Sequence, residues 1–142
     1  MAADCTVKAR PAHRIVRIAE DGRPRIEAYR CENCGAVTDS QTMACRACAS
    51  RKPPASFGVG RTGKLWSWSV VHRSYPGVAV PFISVIVDLD DGLTLKGTLR
   101  GVDTSGLRQG LPVRLVFDDA GGAHDKEGVP YVGFHFVPQG DA

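Results

Sequence analysis

The sequence has no apolar run approaching the roughly 20 residues that a membrane-spanning helix requires. Its opening stretch, MAADCTVKARPAHR, lacks the apolar core of a secretory signal, so the expected compartment is the cytoplasm. Internal repeats are absent. No Gly-x-Ser-x-Gly elbow surrounds a serine, which removes the commonest route to an activated hydroxyl. Aromatic residues make up only 7% of the chain. After residue 64 they are not interleaved with Lys and Arg, which counts against a surface built to stack along a nucleic-acid strand. Hydrophobic content of 43% and charged content of 23% are ordinary for a globular chain. The 142 residues suffice for one domain, or for a ribbon plus one small barrel.

Cysteine is what the sequence does have. Four of its five cysteines, Cys31, Cys34, Cys45 and Cys48, fall in CENCGAVTDSQTMACRAC, two Cys-x-x-Cys pairs with ten residues between them. Two residues between thiolates let both sulfurs meet one tetrahedral ion. Two such pairs supply the four thiolates of a closed structural zinc site, with no open catalytic position. Gly35 follows the first pair, where a turn around the metal favours a residue tolerant of positive φ. Iron and disulfides are the alternatives; a redox dithiol would call for a thioredoxin-like βαβ context, which is missing. Cys5 is the odd thiol, in a segment expected to be loose, and is assigned no role.

Charge is uneven. Residues 1–64 hold 12 Lys and Arg against 6 Asp and Glu, and residues 65–142 hold 6 against 9. Four thiolates and one divalent ion would leave the front half at about +4. Such a balance suits phosphate groups or an acidic protein surface, and equally a solvated face.

Residues 1–24 read as a flexible segment, with RIVRIAEDGRPRIEAYRC ambiguous between a short helix and a loose hairpin. Residues 25–52 read as the ribbon and 53–64 as a Pro/Gly-rich linker stiffened by Pro53-Pro54. From residue 65 to 138 the pattern is five short strands: LWSWSVVHR, PFISVIVDL, LTLKGTLRG, VRLVFDD and VPYVGFHFVP. Five strands with no convincing helix in that length suggest a small closed barrel of the OB type. The fold class expected is therefore mainly β, a rubredoxin-like zinc ribbon followed by a five-stranded OB-fold barrel.

GVGRTGK, residues 58–64, matches both a dinucleotide fingerprint and part of a phosphate loop. Both mechanisms need a buried strand before and a helix after, and here the following residues read as a strand. A glycine-rich hinge is the better reading. Ser67, Ser69, His72 and His135 are the available nucleophiles and bases, but nothing groups them into a catalytic set.

RCENCG…ACRAC followed by LWSWSVVHRSYPG, VPFISVIVDLDDG, LKGTLRGV, GLRQGLPVRLVF and YVGFHFVP resembles the zinc-ribbon plus OB-fold family long known only as a domain of unknown function. The resemblance covers roughly residues 20–138. It implies a non-catalytic subunit that accompanies a thiolase-like enzyme acting on acyl-CoA, by thiolysis or retro-aldol cleavage, and that helps complete the coenzyme site. On that reading Arg46, Arg51, Lys52, Arg61 and Lys64, a stretch without an acid, are candidates for the coenzyme phosphates. A subset of Tyr75, Pro76, Phe82, Phe134 and Phe136 is expected at the partner interface, the rest in the core. The alternative is a module that binds single-stranded nucleic acid, with Trp66, Trp68, Tyr131 and Phe134 as stacking platforms.

Overall fold

The computed structural model describes residues 9–139. Among them there are ten strands and two single-turn 3-10 segments, and no α-helix. The strands are β1 (Arg10–Pro11), β2 (Val16–Ile18), β3 (Pro24–Arg30), β4 (Val37–Thr38), β5 (Ala55–Val59), β6 (Thr62–Val71), β7 (Phe82–Leu89), β8 (Thr94–Leu99), β9 (Pro112–Asp118) and β10 (Tyr131–Pro138). The chain divides into two compact units. The first joins the residues up to Val59 with Phe117–Phe134, and the second joins Gly60–Val116 with the residues from His135 onward. β9 and β10 thus give one part of their length to each.

In the first unit β3 is the central strand. It runs antiparallel to β2 (Val16 opposite Ile26), to β4 (Arg30 opposite Val37) and to β5 (Ile26 opposite Val59 through Arg30 opposite Ala55). Its alternation puts Ile26 and Ala28 inward, where Ile15, Val16, Val59 and Phe134 join them. The outward Arg30 lays its guanidinium 4.5 Å from the Phe57 ring centre on β5. β1 runs parallel to the start of β10, with Arg10 opposite Tyr131.

Two readings of the sequence differ from this. Residues 10–18, expected to be loose, contribute β1 and β2, and the ambiguous stretch after them is a hairpin, with Asp21-Gly22 at its turn. The supposed linker 53–64 is largely strand, because Ala55–Val59 completes the β3 ladder and Thr62–Lys64 opens β6. The remainder of the N-terminal reading, including Cys5, lies outside the described residues.

In the second unit β6 pairs antiparallel with β7, and β7 with β8. β8 meets β10 in parallel at Leu99 and Phe136, and β9 returns antiparallel to the start of β6. β9 and β10 also pair, which closes a five-stranded barrel in the order β6-β7-β8-β10-β9. Strict alternation in β7 sends Ile83, Val85, Val87 and Leu89 inward. Leu65, Leu93, Leu95, Leu99, Val113, Leu115 and Phe136 fill the rest of the interior. Gly63 sits where β6 and β7 come closest: a Cβ there would lie 2.5 Å from the Asp88 carbonyl oxygen and 2.9 Å from Leu89 Cα. The 90–92 turn is pinned from the same side. Asp91 accepts from the Gly60 amide and Asp90 from the Thr62 hydroxyl. The glycines of GVGRTGK therefore serve a strand-to-strand passage, with no helix after them.

Candidate metal centre

Each Cys-x-x-Cys pair folds as a tight backbone knuckle. In the first, the Gly35 amide donates to the Cys31 carbonyl and the Cys31 amide donates to the Ala36 carbonyl at 2.8 Å. Gly35 takes φ 79°, as its position behind the pair led us to expect. The second knuckle repeats the pattern: Ala49 N–H to Cys45 O, Cys45 N–H to Ser50 O. There the left-handed position is held by Ala49 at φ 65°, a conformation that strains a residue with a Cβ.

The two knuckles bring all four sulfurs within 4.8 Å of one another. Cys31 and Cys48 are 3.7 Å apart and Cys34 and Cys45 3.6 Å, and none is in a disulfide. A tetrahedral ion with metal–sulfur bonds of about 2.3 Å places its ligands about 3.8 Å apart. The spacing fits such an ion, whereas a disulfide would need about 2.05 Å. The four cysteines are thus positioned to bind one metal ion.

The surroundings favour thiolate at one end of the cluster. The Asn33 side-chain amide donates to Cys48 Sγ at 3.3 Å; with the Ser50 amide it brings that thiol down to about 6. Cys45 is lowered by the amides of Cys48 and Ala47. Cys34 also has a backbone amide in its favour, that of Ala36, yet the neighbouring sulfurs, Cys45 first, and desolvation hold it up to about 12. Four adjacent thiols do not all ionise without a cation to offset their charge, and a divalent ion supplies that offset.

The other expected residues are dispersed. Arg46, Arg51 and Lys52 surround the second knuckle in the first unit, all exposed. Arg51 lines a shallow concavity with Gln41, Thr42, Met43, Pro53 and Pro54. Arg61 and Lys64 belong to the second unit. Of the interface residues, Tyr75 is 84% exposed, Pro76 is exposed and Phe82 half-buried, while Phe134 and Phe136 are core. Ser67, Ser69 and His72 lie on or just past β6, in the second unit, and His135 lies on β10 in the same unit. Trp66 and Trp68, the stacking platforms of the nucleic-acid alternative, are exposed, and a bulge lies between Leu65 and Ser67.

Four clustered cysteines, consistent with a zinc ribbon, and a five-stranded closed barrel make up the fold. The model of the ChsH2 C-terminal OB-fold domain matches residues 58–118. The chain is 35% identical over 92 residues to the benzoylsuccinyl-CoA thiolase subunit BbsA of Geobacter metallireducens, covering 63% of this chain and 62% of that one. It is 38% identical over 58 residues to the alpha subunit of the 3-oxo-4,17-pregnadiene-20-carboxyl-CoA hydratase of Mycobacterium tuberculosis, of which it spans 19%. Among solved structures, the Ltp2-ChsH2(DUF35) aldolase superposes with a TM-score of 0.63 at 25% identity, over 80% of this chain and 84% of that one. The chain is similar to this zinc-ribbon plus OB-fold group, DUF35, and spans less than two thirds of the length of the Geobacter relative.

Proposed function

We propose that the protein is a non-catalytic subunit of a heteromeric thiolase-like enzyme that breaks a carbon–carbon bond in an acyl-CoA. The likeness to a benzoylsuccinyl-CoA thiolase subunit carries the reading, and the scattered nucleophiles and bases agree with it. In this reading the partner holds the reacting groups and this chain supports the shared site. The knuckle ion is zinc, which suits a tetrahedral all-sulfur shell and brings no redox chemistry of its own. Arg46, Arg51 and Lys52, exposed and without an ion pair among the described residues, serve as the anion-binding part that meets the phosphates of the coenzyme. The compartment is the cytoplasm; no helix among the described residues is long and apolar enough to cross a membrane.

Co-purification from the native host, followed by mass spectrometry, tests the reading. A thiolase-like protein at near-stoichiometric yield is the expected result. Recovery of nucleic acid alone, in a complex that salt dissolves steeply, overturns it. On the assembled complex, replacing Arg46, Arg51 and Lys52 by Ala should raise KM for acyl-CoA with assembly unchanged.

A further inference from the structure

The exposed apolar surface is concentrated in one place. Of the six large apolar side chains most exposed among the described residues, five lie between positions 66 and 80: Trp66, Trp68, Tyr75, Val78 and Val80. Trp66 and Trp68, with Ser67 and Gln109, line a concavity of about 430 Å³. The backbone beneath them has a free side. β9 accompanies β6 only from Thr62 to Lys64, and Leu65 then exchanges bonds with Gly110 and Leu111. Beyond that point β6 keeps β7 along one side and has no strand on the other among the described residues. Alternate N–H and C=O groups of Trp66–Val71 therefore face outward along an open edge.

Proteins usually blunt such an edge with a lysine, a proline or an inward charge. WSWSVV contains none of these. It is a β-prone, uncharged segment of the kind that pairs with another chain. What brackets it decides which chain. Lys64 stands at one end, where Arg108 belongs to the turn whose Gly110 and Leu111 bond Leu65, and His72 and Arg73 stand at the other. None of Lys64, Arg73 and Arg108 is ion-paired among the described residues, and Asp88, across from Lys64, accepts from the Thr94 hydroxyl. An antiparallel pairing of two copies centred between Trp68 and Ser69 would set Lys64 against Arg73 twice, and directly opposed like charges destabilise a ladder. In that register a second copy is the wrong occupant, and a strand with carboxylates at both ends is the right one.

We infer that Trp66–Val71 is a strand-addition site for an extended segment of the partner protein, apolar in its middle and acidic at both ends. Main-chain bonds along the edge give the affinity, Trp66 and Trp68 grip alternate side chains, and the terminal cations fix the register. The inference rests on the thiolase-like partner proposed above as the supplier of that strand.

The test uses the full chain, alone and co-expressed with a thiolase-like partner, and reads backbone hydrogen exchange at the edge-facing amides of Trp66–Val71. In the complex these amides should slow by at least about tenfold. The double variant Lys64→Glu/Arg73→Glu, checked for intact fold by circular dichroism, should weaken assembly by at least about tenfold. A complex in which those amides exchange as in the free chain, or which the double variant leaves unchanged, overturns the inference while the partner reading stands. Should no complex form, the partner reading fails by itself, and a synthetic peptide of alternating Val and Thr with paired Asp at each end becomes the probe. Binding that protects the same amides, and is lost when Lys replaces the Asp residues, supports the site; no binding overturns it. A concentration-dependent homodimer that buries the edge overturns it as well.

Discussion

Replacing Gly63 by Ala adds one methyl group where β6 crosses β7. The methyl carbon would meet the Asp88 carbonyl oxygen at 2.5 Å and Leu89 Cα at 2.9 Å. Both neighbours are main chain and cannot swing aside as a side-chain tip would, so the Gly63–Leu89 and Lys64–Asp88 pairs must part. Overpacking of this kind costs about 1–3 kcal/mol. Lower entropy of the unfolded alanine chain returns about 0.4–1 kcal/mol where the backbone conformation is compatible. The backbone clash puts the cost toward its upper end, and a net loss of about 2 kcal/mol is expected. Urea unfolding followed by tryptophan fluorescence measures it, as a lower midpoint at unchanged slope. Equal or greater stability in the variant would refute the packing argument. It would also reopen a ligand-contacting role for the glycines of GVGRTGK, since a glycine kept for a phosphate tolerates a methyl group until the ligand arrives.

Metal analysis of protein purified without added zinc should give close to one equivalent of zinc per chain, and the visible absorption of iron–thiolate should be absent. Zinc retention should fall as the pH drops through about 6, where protons begin to compete for the Cys48 thiolate. The sign follows from the lowered thiol: metal-linked stability is present above that pH and lost below it, which chelator-release assays at stepped pH will show. Ala49→Gly should be neutral to about 1 kcal/mol stabilising, whereas Gly35→Ala should cost about 1 kcal/mol, because both positions are left-handed and only one already has glycine. Thermal melts of the metal-loaded proteins rank the two. Phe136→Ala, which empties a fully buried site, should cost about 3–5 kcal/mol by denaturant titration.

The cysteine knuckles and the barrel strands were legible because their signals are local. A Cys-x-x-Cys pair carries its geometry within four residues, and β7 announces itself through the apolar alternation of Ile83, Val85, Val87 and Leu89. β5 was missed because Pro53-Pro54 and the glycines after it read as punctuation. What makes Ala55–Val59 a strand is a ladder to β3, 29 residues away at the Ala28–Phe57 pair and unrecorded in the segment's own composition. The bulge in β6 escaped for a different reason. Period-2 reasoning assumes an unbroken pleat, and a one-residue bulge after Leu65 leaves no mark in the sequence. The basic stretch from Arg46 to Lys64 is continuous in sequence, yet its members fall in both compact units.

That division of the chain bears on how the protein is made. The knuckles close over residues 31–50 alone, so the metal can be captured early in synthesis. The rest of the first unit waits: Tyr131 and Val132, the partners of β1, and Phe134, in its core, are translated after nearly the whole barrel sequence. A nascent chain therefore carries its earliest apolar strands uncovered while later ones emerge. A fragment cut cleanly at Val59 would leave both pieces short of residues that belong to them.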